Sequence, residues 1–196
     1  MIAAGVDSLE LGRTFSQARR RILLYAPPYG NFAANAEIAR GLESALARPG
    51  GARLSAFLLP DPGHCHWAGE LFGLLRPQAG PNDMMGELRA SRRYLDGLKD
   101  AFGERVDLVE MPFRPSLPAV LVDDRMFFGH FARSRVLAPE GFWCAVDAPV
   151  ETLLACARAG RVPEEADRET RAAFRIAAEC ALALEQGRRL DSSAPA

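Results

Sequence analysis

Apolar residues along the chain recur at two spacings, one that suits helices and one that suits strands, and their order predicts an α/β fold. Leu11, Phe15 and Ala18 lie at helical spacing, which predicts a short helix over residues 8–20 with Ser8 ahead of it as a cap. The apolar run Ile22 to Ala26 then reads as a first buried strand. After the turn Pro27-Pro28-Tyr29-Gly30, Asn35 is placed to cap a helix. Its inward stripe is Ile38, Leu42, Ala45 and Leu46, and it stops at Pro49-Gly50-Gly51. A second strand is predicted from Arg53 to Leu59. Strand, helix, strand in this order is a βαβ unit, which calls for parallel pairing and a right-handed crossover.

From Pro60 to Asn82 the chain is rich in Pro and Gly yet keeps Trp67, Leu71, Phe72, Leu74 and Leu75, so a short helix is expected to interrupt a long loop. Leu88, Leu95, Leu98 and Phe102 predict a helix from about Asp83 to Phe102, closed by Gly103. A third strand follows at Arg105 to Met111, and a strand pair at residues 117–130. Phe142 and Trp143 belong to a loop or short strand beyond that pair. From Val150 two helices are expected around Gly160-Arg161-Val162-Pro163, the first carrying Leu153, Leu154 and Cys156. The second runs from about Glu164 to Gly187 with a stripe of Phe174, Ala177, Ala178, Ala181 and Leu182. That stripe suits close packing against another helix, within the chain or across a dimer. Arg188 and Arg189 just past its end suit the helix dipole. The fold expected is α/β, with a mixed, mostly parallel sheet flanked by helices. Residues 1–149 would form one domain, 150–190 a helical extension packed on it, and 191–196 a disordered tail.

With 196 residues, 48% hydrophobic and 25% charged, the chain is long enough for one substantial core. The formal net charge of -1 offers no general basic field, so indiscriminate nucleic-acid binding is not expected and any anion must be held locally. The basic residues are arginines apart from Lys99. No run of apolar residues is long enough to span a bilayer, so no membrane association is expected. The four cysteines, Cys65, Cys144, Cys156 and Cys180, form no Cys-x-x-Cys pair. That suits reduced thiols in a cytoplasm better than a disulfide framework.

Phosphate-binding, nucleophile-elbow and dinucleotide-binding signatures are absent from the sequence, and no cofactor is expected. His64-Cys65-His66 has zinc-like chemistry, but adjacent residues rarely converge on one ion. Asp61, Glu70 or a dimer mate would have to complete the site, and no metal is expected. Arg92, Arg93 and Tyr94 lie on the long helix and either touch nucleic acid or form a solvated face, the second being the usual fate.

The stretch from Pro115 to Gly129 holds an apolar run, an acidic turn at Asp123-Asp124 and a second apolar run. It resembles the strand pair that carries the His-x-Lys-x4-Asp motif of the phospholipase D superfamily, with Asp123 at the position of the Asp. Ser116 stands where that pattern has its nucleophilic His, and Pro118 where it has its Lys. A serine hydroxyl without an adjacent base is a poor nucleophile. Proline supplies no charge for developing phosphoryl oxygens. The plain alternative is an ordinary hairpin of buried strands.

The resemblance implies a single half-domain that pairs with a second copy, so a homodimer is expected. It places the loop after the first strand and the end of the hairpin at one pocket. Tyr25, Tyr29, Asn31 and Asn35 come from the first, and Gly129, His130, Arg133 and Ser134 from the second. Candidate ligand-binding residues are accordingly Tyr29, Asn31, Ser116, Asp123, Arg125, His130, Arg133 and Ser134. Of these, Ser116, Arg125, His130 and Arg133 are expected to form a partly cationic rim for an anion. The function expected is a catalytically inactive phospholipase D-like protein with no catalytic residues, binding an anionic small molecule or a protein partner in a regulatory role. Two alternatives remain: a phosphodiesterase remodelled around His130 and arginines, and a module for protein interaction or dimerisation.

Overall fold

The computed structural model describes residues 1–130, 140–164 and 166–191. Eight strands form one sheet: β1 (Ile2–Ala4), β2 (Arg21–Tyr25), β3 (Arg53–Leu58), β4 (Val106–Glu110), β5 (Ala119–Val122), β6 (Arg125–Gly129), β7 (Phe142–Asp147) and β8 (Arg188–Leu190). Their order across the sheet is β1-β7-β6-β5-β2-β3-β4-β8. The sheet is mixed and mostly antiparallel, which corrects the mostly parallel arrangement expected from the sequence. Only β2 with β3 and β3 with β4 are parallel, because among the described residues only these neighbouring strands are consecutive in the chain and joined by helices. The turn at Asp123-Asp124 makes β5 and β6 a hairpin, β5 enters beside β2 from the opposite direction, and β7 and β1 extend that antiparallel half. At the other edge β8 pairs antiparallel with β4.

Among the described residues seven α-helices cover the sheet: α1 (Leu11–Gln17), α2 (Gly30–Ala34), α3 (Ala36–Ala47), α4 (His66–Leu75), α5 (Pro81–Phe102), α6 (Val150–Arg158) and α7 (Arg168–Gln186). Alternation along the strands splits the apolar residues between two cores. Ile22, Leu24, Leu54, Leu108, Val120 and Phe127 pack against α1, α2, α3 and α5. Leu23, Tyr25, Phe57, Val109, Leu121 and Met126 pack against α4, α6 and α7. A sheet buried on both faces explains why β2 and β5 read as unbroken apolar runs rather than alternating ones.

Local chemistry accounts for most of the helix boundaries. Asn35 Oδ1 accepts from the amides of Glu37 and Ile38 at 3.0 and 3.2 Å, the cap expected of it, and Ile38, Leu42, Ala45 and Leu46 are buried below. Pro81 opens α5, and Asp83 accepts from the Gly80 amide at 3.0 Å. Ser8 does not cap α1. Its hydroxyl donates to the Ala4 carbonyl at 2.8 Å, and Glu10, in the left-handed region at φ 49°, precedes the helix. The α7 stripe is also corrected. Leu182 is 43% exposed, and the buried side is Ala173, Ile176, Ala177, Cys180, Ala181, Ala183 and Leu184. Residues 176–184 are apolar almost all round, so spacing alone does not choose a face.

Three further features fall outside the sequence-based expectation. The chain start forms β1, residues 30–34 form the short α2, and Arg188 and Arg189 continue into β8 rather than only decorating a helix end. The expectations for Arg133, Ser134 and the tail past Asp191 lie outside the described residues.

Candidate functional site

Antiparallel pairing of β2, β5 and β6 brings three chain segments to one end of the sheet. Tyr25 at the end of β2 is level with Ala119 at the start of β5, and the Gly129 amide donates to the Pro118 carbonyl at 2.9 Å. This mouth gathers Ser116, Pro118 and His130, with Tyr29 and Asn31 on the segment after β2. Ser116, Asn31 and His130 are exposed there, whereas Pro118 is buried. Gly129 is required by close approach, since a Cβ on it would lie 3.0 Å from the Trp143 ring and 3.1 Å from Pro118.

Inside the mouth, the polar groups are held by carboxylates of the chain itself. Glu179 of α7 accepts from the Ser116 amide at 2.7 Å and from the Tyr25 hydroxyl at 3.1 Å. Burial, and next the Glu179 charge, push the Tyr25 phenol well above its ordinary value, so it acts as a neutral donor. Arg76, at the end of α4, is clamped by Glu87 of α5 through two bonds of 3.2 and 2.8 Å, and it also donates to the Leu75 carbonyl. Beside it lies a cavity of about 40 Å³ lined by Pro27, Asn31, Arg76, Pro118 and Trp143 among others. That holds a few waters or a small apolar group and is far below the roughly 300–1,000 Å³ of a typical ligand pocket. Tyr29 is a structural post. It is fully buried, its hydroxyl donates to the Leu24 carbonyl at 2.8 Å, and its amide donates to Ser91 Oγ at 2.9 Å.

Asp123 and Arg125 are not at this mouth. Strands advance about 3.3 Å per residue, so Asp123 lies about 16 Å along the hairpin from Pro118, at the opposite end of the sheet. There its carboxylate accepts from the backbone amides of Arg19, Arg20 and Arg21 at 2.8, 2.9 and 2.9 Å, tying the hairpin turn to the start of β2. Arg125 sits with its guanidinium 5.2 Å from the Phe127 ring centroid and 3.8 Å from Asp147. The expected rim of Ser116, Arg125, His130 and Arg133 is therefore not assembled as a unit: strand geometry sends Arg125 away, and Arg133 is outside the described residues. His130 stays at the mouth, and Arg114 nearby lies 3.7 Å from Glu70.

The His64-Cys65-His66 loop leads into α4. His66 pairs with Glu70 one turn on at 3.3 Å, and Asp61 accepts from the Gly63 amide at 2.8 Å. Among the described residues no group of three or more His, Cys, Asp or Glu side chains is placed to hold a metal ion. All four cysteines are free thiols, and burial pushes the Cys180 thiol well up, away from the reactive thiolate. No helix among the described residues is long and apolar enough to cross a membrane.

Glu179 is the residue that sequence reasoning missed. Its signal was present as a lone charge inside Ile176-Ala-Ala-Glu-Cys-Ala-Leu-Ala-Leu184, a run otherwise free of polar groups. Such a residue needs a partner if the helix is buried on that side.

No protein-family model matches the chain, and no curated protein matches it in sequence. Among solved structures it is similar to TrmBL2, an archaeal chromatin protein whose structure shows a mode of DNA binding. The identity is 14% and the TM-score 0.46, over 97% of this chain and 52% of that one. The chain thus spans about half the length of TrmBL2, and at this level the likeness bears on neither its ligand nor its activity.

Proposed function

We propose that this is a catalytically inactive phospholipase D-like domain that acts by binding an anionic ligand or a protein partner in a regulatory role. The observation that supports its inactivity is the state of the mouth. Where the motif would place a nucleophile, Ser116 is exposed with its amide held by Glu179, and where it would place an ammonium, Pro118 is buried against Gly129. A negative carboxylate at that position opposes a phosphodiester rather than stabilising its transition state. The purified chain is expected to leave an activated phosphodiester such as bis(4-nitrophenyl) phosphate unhydrolysed above buffer. Turnover that disappears in His130→Ala would establish the remodelled enzyme instead.

A homodimer is the second proposal, and the open edge of the sheet favours it. Among the described residues β1 is the outermost strand, with Ile2 73% exposed and Phe142 of the adjoining β7 49% exposed. An unpaired strand edge beside apolar side chains is suited to pairing with another copy.

A further inference from the structure

A second polar site lies at the end of the sheet opposite the mouth, on the face covered by α6 and α7. Arg21 and Arg53 are direct neighbours in register on parallel strands, about 4.8 Å apart in backbone. Strand alternation sends both to the same face as Leu23 and Phe57. Like charges side by side on one face are destabilising unless something between them is negative. Arg158, the last residue of α6, Arg20 before β2 and Arg189 of β8 bring three more guanidinium groups to the same groove. The groove has a volume of about 530 Å³, within the usual range for a small-molecule site.

The internal carboxylates do not saturate these arginines. Glu151 takes Arg21 through two bonds of 2.9 Å, and Asp124 pairs with Arg20. Arg53 donates from one nitrogen to the Glu104 carbonyl at 2.7 Å, leaving the rest of its fork unused. Asp107 lies 3.7 Å from Arg189, an ion pair without a hydrogen bond. Arg158 lies close enough to Glu151 for its charge to help hold that carboxyl below its ordinary value, after the larger effect of the Arg21 bond, but among the described residues it makes no ion pair within 4 Å. Independent of charge, Ser55 lines the groove, a largely buried residue whose hydroxyl makes no side-chain hydrogen bond among the described residues. A hydroxyl at the wall of a groove ringed by guanidinium forks is a place for an acceptor oxygen.

We infer that this groove binds a small phosphate ester carrying free hydroxyls. The phosphate oxygens would meet Arg53, Arg158, Arg21 and the Ser55 hydroxyl. The Asp107 and Glu185 carboxylates, which also line the groove, accept hydrogen bonds from ligand hydroxyls. Among the described residues no aromatic side chain lines it, so a nucleobase would find nothing there to stack on. Asp107, Glu185, Asp124 and Glu151 at or beside the groove repel a long polyanion, which favours a compact ligand over a nucleic-acid backbone. The site extends the binding role proposed above to a place the motif does not mark.

Titration calorimetry of the full chain tests it, with a hexose 1,6-bisphosphate, inorganic pyrophosphate, the unphosphorylated hexose and a short DNA duplex as probes. Saturable binding of the bisphosphate is expected, with pyrophosphate weaker and the plain hexose silent. Arg53→Gln combined with Arg158→Ala should weaken the bisphosphate at least tenfold, and Ser55→Ala a few-fold, with circular dichroism and melting temperature unchanged. If the double variant does not fold, Arg158→Ala alone carries the test, since among the described residues that side chain makes no close ion pair and Arg21 remains the main partner of Glu151. No bisphosphate binding at millimolar concentration, binding indifferent to these variants, or tighter DNA binding with the same arginine dependence would each overturn the assignment. Phosphodiester turnover at the mouth would overturn the inactive-domain proposal and leave this isotherm unchanged, so the two failures are distinguishable.

Discussion

Individual side chains in this protein are mostly committed to holding backbone in place, even those that resemble site residues. Asp123, a candidate site residue on sequence grounds, uses its carboxylate to gather three amides. Tyr25 and Tyr29 line the approach to the mouth and serve as buried donors. The chain has three tyrosines, and burial raises every one: Tyr94, whose hydroxyl has no partner, to about 12, and Tyr25 and Tyr29 further. A phenol whose folded value is raised contributes its full stability below the ordinary value of 10 and withdraws it as pH rises past 10 toward the folded value. Spectrophotometric titration should therefore show almost no phenolate at pH 10 in the native chain, with ionisation arriving together with alkaline unfolding. A third of the tyrosine signal titrating normally in folded protein would contradict the burial of these rings.

At the scale of elements, the parts with their own chemical punctuation were legible in advance. The βαβ unit from β2 to β3, the Asn35 cap, the α5 span and the β5–β6 hairpin followed from apolar spacing, caps and breakers within a few residues of one another. The contact between α1 and α3 was not legible, because it depends on two glycines far apart in sequence. A Cβ on Gly12 would lie 2.6 Å from the Glu37 carbonyl oxygen, and one on Gly41 would collide with the Gly12 carbonyl. The two helices cross with their backbones touching. Gly41→Ala should push them apart and cost about 1–3 kcal/mol, the usual scale of overpacking, even though alanine is the better helix former. Urea denaturation that shows Gly41→Ala equal to or more stable than wild type would rule out this close crossing.

For the molecule as a whole, the sheet keeps its two ends chemically apart. At one end Glu179 holds the Ser116 amide and Glu87 holds Arg76 beside a cavity of about 40 Å³, and the other end opens into an arginine-lined groove. The β1 edge remains uncovered among the described residues. Light scattering coupled to size exclusion should report twice the mass of one chain, and Ile2→Glu should return the monomer without loss of secondary structure. A monomer at micromolar concentration would remove the dimer proposal.

Local patterning alone determined that this chain alternates strands and helices, that β2 and β3 are parallel, that β5 and β6 turn at Asp123-Asp124, and that Ser116 and Pro118 bring neither an imidazole nor an ammonium to that hairpin. These are properties of neighbouring residues, set by spacing, caps and functional groups. Tertiary structure decided which strands lie side by side, and so that the sheet is mostly antiparallel, that Arg125 and Ser116 are kept at opposite ends, that Glu179 reaches the mouth, and that Arg21 meets Arg53 beneath Arg158. Each depends on strand order and on contacts between residues dozens of positions apart, and hydrophobic periodicity has no term for either.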